Sequence, residues 1–417
     1  MDETRREPFL LTPGPLTTTA ATKAAMLRDW GSRDGEFIAM NARVRRRLLE
    51  LVSGDGSHVC VPLQGSGTFI VEAMIGTLVP PAGKLLVLVN GAYGRRMVRI
   101  CEYYRRACVA QETAEDQPVD PAALDARLGA DPAITHVVVV HCETTSGVLN
   151  PVEEIAAVVA RRGRRLLIDA MSAFGALPLD ARRVPFDAVV ASANKCLEGV
   201  PGVAFAIVRR EALEEARGQA PSLSLDLHDQ WTSMEKNGQW RFTPPTHVIA
   251  AFDRALEQHA AEGGMAGRGG RYRRNCALLV AGLRALGFET LLPDRLQAPI
   301  IVTVKMPADP KFHFETFYDR LAQRGYVIYP GKLTVADSFR IGCIGPWARA
   351  RWPGRFAPSP RSWASWAWPP ARRPPARGPP CAGHAGTAAP TSRTVAGRVG
   401  ADSAASGSAE ASASAAR

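Results

Sequence analysis

Between Pro62 and Val208 the chain repeats one pattern, a short unbroken apolar run followed by a longer segment with helical periodicity. The runs are LLVLVN (85–90), HVVVVHCE (136–143), RLLIDA (165–170), FDAVVASA (186–193) and VAFAIVRR (203–210). They are continuous rather than alternating, so each reads as a strand covered on both faces. Among the intervening segments, PVEEIAAVVARRG (151–163) has Pro at its start and Gly at its end, as a helix should. Repeated strand–helix units of this kind predict an α/β fold with a large, mostly parallel sheet.

A second region begins near His247. It has two helical stretches, VIAAFDRALEQHAAEGG and RYRRNCALLVAGLRALG, then strand-like PIIVTVKMP (299–307). A helix around FETFYDRLAQRG and short strands in YVIYPG and SFRIGCIG complete a smaller α+β domain. The expected division is a large domain over 1–250, a small C-terminal domain over 251–345, and a tail over 346–417.

The tail has neither helical nor strand period. Pro, Arg, Ala, Ser and Gly dominate it, and five of the chain's eight Trp fall there. It reads as disordered, or as the product of a reading-frame shift in a GC-rich gene. It also distorts the charge balance. Of the net +11, the stretch from Trp347 to Arg417 carries +8, from ten Arg against Asp402 and Glu410. The body is left at +3, which gives no nucleic-acid signature. The basic run GRGGRYRR (267–274) reads as a solvated helix start. The eight Cys are scattered without CxxC or zinc spacing, and read as reduced thiols. No apolar run is long enough to span a membrane, and MDETRREPFLLTPGP lacks a signal-peptide core, so cytoplasm is the expectation.

Three constellations carry chemistry. Gly65-Ser66-Gly67-Thr68 precedes a helical segment, where free N–H groups and the positive dipole end can cradle a phosphate. Alone, GSGT is also an ordinary turn and cap. Asp169 ends the strand RLLIDA, at the sheet edge where α/β ligands bind. It can hold a protonated ring nitrogen, and can equally cap a helix. Lys195 follows the strand FDAVVASA beside a Gly/Pro turn and can condense with an aldehyde cofactor. Together they supply the grips that pyridoxal phosphate needs on its phosphate, ring nitrogen and aldehyde.

These motifs resemble those of the fold-type I, class V aminotransferases, the subgroup of alanine–glyoxylate and serine–pyruvate enzymes. Residues 8–345 are most similar to the 2-aminoethylphosphonate–pyruvate aminotransferase family. The similarity is carried by LLTPGPLTTTAATKAAMLRDWGSRDGEF (10–37), PLQGSGTFIVEAM (62–74), VNGAYGRRM (89–97), HCETTSGVLNP (141–151), IDAMSAFGALPLD (168–180), SANKCLEGVPG (192–202), RFTPPTHVIAAF (241–252) and FRIGCIG (339–345).

The resemblance implies pyridoxal 5'-phosphate, and transfer of the amino group of 2-aminoethylphosphonate to pyruvate in phosphonate degradation. Lys195 would carry the cofactor and move the substrate proton, and Asp169 would keep the pyridinium charged. Ser66, Gly67 and Thr68 would hold the phosphate, with Ser192 or Asn194 nearby. Tyr93 would stack on the ring and Thr144 would approach its hydroxyl side. Thr243 would reach the partner's cofactor phosphate, which implies a homodimer. Arg340 would grip the substrate anion, with Arg33 and the Gly14-Pro15 turn lining the same pocket. The alternatives are an alanine/serine–glyoxylate-type aminotransferase, and an inactive remnant, because Pro346 and the tail stand where the family has a final helix.

Overall fold

In the computed structural model of the chain, the described residues are 7–54, 56–334 and 336–347. Seven strands form the large sheet: β1 (His58–Gly65), β2 (Lys84–Val89), β3 (Ala107–Glu112), β4 (Ile134–Val140), β5 (Arg165–Asp169), β6 (Ala188–Ser192) and β7 (Gly202–Arg209). Their order is β1-β7-β6-β5-β4-β2-β3. β7 is antiparallel to both its neighbours and the remaining pairings are parallel.

Neighbouring residues on a strand face opposite sides of a sheet. Leu86, Leu88, Val137, Val139, Leu166 and Ile168 belong to one apolar cluster; Leu85, Val87, Val138, Val140 and Leu167 belong to another. The sheet is thus dry on both faces, which is why its central strands read as continuous apolar runs.

Two strands carry no such run, and both lie at sheet edges. β3, with sequence ACVAQE, has no fully buried residue. β1 contains Pro62, which an edge strand tolerates because no neighbour needs its missing N–H. The Pro62 carbonyl instead accepts a bond from Gln230 Nε2 at 3.2 Å.

The second sheet has three antiparallel strands, β8 (Ile301–Lys305), β9 (Tyr329–Pro330) and β10 (Ser338–Gly342), in the order β8-β10-β9. Val302, Val304, Phe339 and Ile341 pack there with Leu279 and Leu283 of the Gly264–Ala285 helix. The Thr246–Ala261 helix sends Phe252 and Leu256 into the core of the large sheet instead. Residues 9–14 connect this region to the site. Phe9–Leu10 pairs with Tyr326–Val327, and Gly342 N donates to Leu11 O at 2.9 Å.

The basic run 267–274 departs from the expected solvated helix start. Arg268 and Tyr272 are buried and Arg271 is largely so, while Arg273 and Arg274 are exposed. The helix turns the first three inward, where Glu198 and Glu262 supply counter-charges. Trp347, counted with the tail by composition, is buried; its Nε1 donates to Ile344 O at 2.9 Å. The rest of the tail, 348–417, with its disordered or frameshifted reading, lies outside the described residues. Among the described residues no helix is long and apolar enough to cross a membrane.

Candidate active site

β1, β5 and β6 run in one direction, so Gly65, Asp169 and Ser192 end at the same edge of the sheet. A cavity of about 430 Å³ opens there. Its walls bring together Ser66, Gly67, Thr68, Tyr93, Asp169, Ser192, Asn194 and Lys195, and also Gly14. Thr144, Arg340, Arg33 and Thr243 do not line it. Arg33 and Thr243 are exposed, and Thr144 and Arg340 are buried beside the cavity.

Ser66 stands at the N-cap of the Gly67–Leu78 helix, and its side chain makes no capping bond. The first-turn N–H groups of an α-helix have no partner within the helix. Ser66, Gly67 and Thr68 at this helix start line the cavity, and the next N–H groups, of Phe69 and Ile70, bond back to Ser66 O. A Cβ on Gly67 would lie 2.7 Å from Met171 Sδ, so a larger residue here would have to displace the Met171 side chain. Arg96, on the Ala92–Tyr103 helix, also lines the cavity and bonds Thr68 Oγ1 at 3.1 Å. Ser192 Oγ is buried without a hydrogen-bond partner.

The Asp169 carboxyl accepts one bond, from Met171 N at 2.9 Å. Burial raises its pKa to about 6, against the pull of that N–H and of the Lys195 and Arg96 charges. Lys195 Nζ donates to Pro13 O at 2.8 Å. Its pKa is lowered by burial, opposed by Tyr93, Cys196 and Asp169. Gly14 packs directly on this side chain: a Cβ there, at φ +110°, would lie 2.4 Å from Lys195 Cδ.

The turn that carries Lys195 is clamped from behind. Cys196 O accepts from Arg268 Nη1 at 2.5 Å and from the Tyr272 hydroxyl at 3.3 Å. Glu198, in a left-handed conformation at φ 58°, accepts from Tyr272 at 2.6 Å and Arg271 at 2.9 Å. The buried part of the basic run thus fixes the Lys195 turn.

Tyr93 sits at the centre of a cationic group. Arg96 Cζ lies 5.0 Å and Lys332 Nζ 5.3 Å from its ring centroid. Burial works to raise the pKa of its hydroxyl; Lys195, a bond with Thr144, Lys332 and Arg340 outweigh it and lower it. Sequence reasoning missed Arg96, Met171 and Lys332. Arg96 falls in GAYGRRM and Lys332 in YPGK, motifs whose glycines gave the only signal.

The sequence profile of the aminotransferase class-V family matches residues 25–337. The chain is 56% identical over 351 residues to 2-aminoethylphosphonate–pyruvate transaminase 2 of Burkholderia lata, covering 84% of this chain and 93% of that protein. It is 55% identical over 345 residues to 2-aminoethylphosphonate–pyruvate transaminase of Pseudomonas aeruginosa, covering 83% and 93%.

The chain belongs to the class V aminotransferase family.

Solved structures agree. Pyridoxamine–pyruvate aminotransferase from Mesorhizobium loti aligns with a TM-score of 0.74 at 27% identity, over 82% of this chain and 88% of that one. Alanine–glyoxylate aminotransferase from Nostoc sp. shares the fold, with a TM-score of 0.76 at 21% identity over 87% and 94%. The α/β architecture is therefore that of the fold-type I aminotransferases, and the cofactor of this class V aminotransferase is pyridoxal phosphate.

The cavity suits that cofactor. The unpartnered Ser192 hydroxyl, the bare Gly67 backbone and the helix start match a phosphate group, and the buried Asp169 matches a protonated ring nitrogen.

Proposed function

We propose that this aminotransferase moves the amino group of 2-aminoethylphosphonate to pyruvate, giving phosphonoacetaldehyde and L-alanine, in phosphonate breakdown. The reading is carried by one observation: a single cavity joins the helix-start cradle, Asp169 and Lys195, in a chain 55–56% identical to transaminases named for these substrates.

Bound pyridoxal phosphate supplies an aldehyde for the amine and a cationic ring that takes up electron density. Ser66, Gly67, Thr68 and Ser192 hold its phosphate, and Asn194 borders the same wall. Asp169 stays ionised against the ring nitrogen. Lys195 carries the cofactor between turnovers. Freed by the donor amine, Lys195 would accept the proton lost from the donor's amino-bearing carbon and would deliver it to the former aldehyde carbon of the cofactor. Burial lowers the Lys195 pKa below the ordinary lysine range, which favours the neutral amine that the exchange uses. Tyr93 and Thr144 border the ring, and Arg340 supports the substrate side.

The working form in this reading is a cytoplasmic homodimer. Phe69 and Phe242 line one shallow depression and are 51% and 44% exposed. Exposed Thr243 follows Phe242, which suits a threonine that completes a partner's site. The small domain of this reading, 251–345, has a core of its own that includes Leu279, Leu283, Val302, Val304, Phe339 and Ile341.

The test is to load the purified protein with pyridoxal phosphate and add 2-aminoethylphosphonate alone. The visible band of the lysine-bound cofactor should convert to that of the amine form, and pyruvate should restore it. A band that only another amine shifts would sink the donor assignment.

A further inference from the structure

The cavity contains a cation for which the cofactor has no use. Arg96 is held at Thr68, in the phosphate cradle, and Lys195 serves the aldehyde. Lys332 also lines the cavity. It stands 5.3 Å from the Tyr93 ring centroid, and no carboxylate among the described residues forms an ion pair with it. Among the described residues that line the walls, Asp169 is the only acid, opposite the three cations Arg96, Lys195 and Lys332. A site with this balance favours a ligand carrying more than one negative charge.

The segment that bears Lys332 is fixed in place. Thr334 N donates to Glu115 Oε2 at 3.0 Å, and Thr334 Oγ1 donates to Glu115 Oε1 at 3.1 Å. Glu115 is 5% exposed and also accepts from Arg95 Nη1 at 2.9 Å. Arg95 precedes Arg96 on the Ala92–Tyr103 helix, so one helix supports both the cradle and the Lys332 segment. Arg340, by contrast, is engaged with protein acceptors. Its Nε donates to Pro330 O at 3.1 Å and its Nη1 to Thr144 O at 2.9 Å.

We propose that Lys332 determines donor specificity by binding the phosphonate group of the amino donor, and that Glu115, acting through Thr334, is the residue that positions it. This rests on the donor reading above. A phosphonate offers three oxygens and up to two charges, whereas a carboxylate offers two oxygens and one charge. A second cation at the distal end of the donor therefore separates the two classes.

Calorimetric titration of the cofactor-loaded enzyme with methylphosphonate tests the site without turnover. Steady-state kinetics with 2-aminoethylphosphonate and pyruvate tests its role. Lys332→Met should raise the methylphosphonate Kd and the donor KM about tenfold, the usual scale for losing one charged hydrogen bond. kcat and the pyruvate KM should stay within about twofold, and Lys332→Arg should restore most of the loss. Glu115→Gln should raise the donor KM by a smaller factor without altering the spectrum of the bound cofactor. Unchanged methylphosphonate binding in Lys332→Met overturns the proposal, as does an equal rise in both substrates' KM. If the native enzyme ignores 2-aminoethylphosphonate but still binds methylphosphonate through Lys332, the anion site stands and only the donor assignment falls.

Discussion

Asp169 and Lys195 were legible in the sequence because one ends an apolar strand and the other lies three residues beyond one, and a strand end fixes where a side chain emerges. Replacing Lys195 with Ala should remove the visible cofactor band and cut turnover by at least about 10⁴-fold, since covalent and proton-transfer roles are lost together. A retained band would move the anchoring role to another amine. Asp169 titrates at about 6 in the cofactor-free protein because it is buried. Below that value it is neutral and cannot pair with a charged ring nitrogen. Cofactor affinity should therefore fall as pH drops through about 6, by up to tenfold per unit. Fluorescence titration at several pH values would check this, with Asp169→Asn as the control that lacks this part of the slope. Lys332 and Arg96 were not legible. Lys332 follows a strand of only two residues and Arg96 lies within a helix, so neither has the long apolar strand that marks a site residue, and both reach the cavity through contacts distant in the chain.

At the scale of elements, hydrophobic pattern revealed the strands that are dry on both faces and passed over β1 and β3, whose edge positions relax the demand for apolar residues. It misread 267–274 for the opposite reason: charge suggested water, while the acids that neutralise the run lie elsewhere in the chain. Arg268 is 2% exposed and bonds the carbonyl next to Lys195. Arg268→Met should leave Glu198 and Glu262 undercompensated and lower stability by about 3–5 kcal/mol, read by urea unfolding. A loss below about 1 kcal/mol would show that the clamp contributes little. The same network gives an acid limb to stability. Burial opposes the Glu262 carboxylate, but Arg271 and Arg268 outweigh it and hold its pKa at about 2, below its ordinary 4.5. Its contribution is fully present above the ordinary value and is lost as pH falls from there through about 2. Glu262→Gln should flatten the stability curve in that window and lower stability near neutrality, where the contribution of the carboxylate is fully present.

For the molecule as a whole, sedimentation should give twice the chain mass, and Phe242→Glu should halve it while the fold survives. A native protein that sediments as a single chain would remove the partner role of Thr243. Residues 9–14 carry a different consequence. They are held by Tyr326–Val327 and Gly342, and through Pro13 and Gly14 they form the wall against which Lys195 rests. Apart from Thr243, every residue that grips the cofactor in the proposed reading lies at or before 195, yet the residues that seat this wall, Tyr326–Val327 and Gly342, come 131 to 147 residues further along the chain. A nascent chain can assemble the sheet but cannot close the cavity, so cofactor capture belongs to the finished polypeptide.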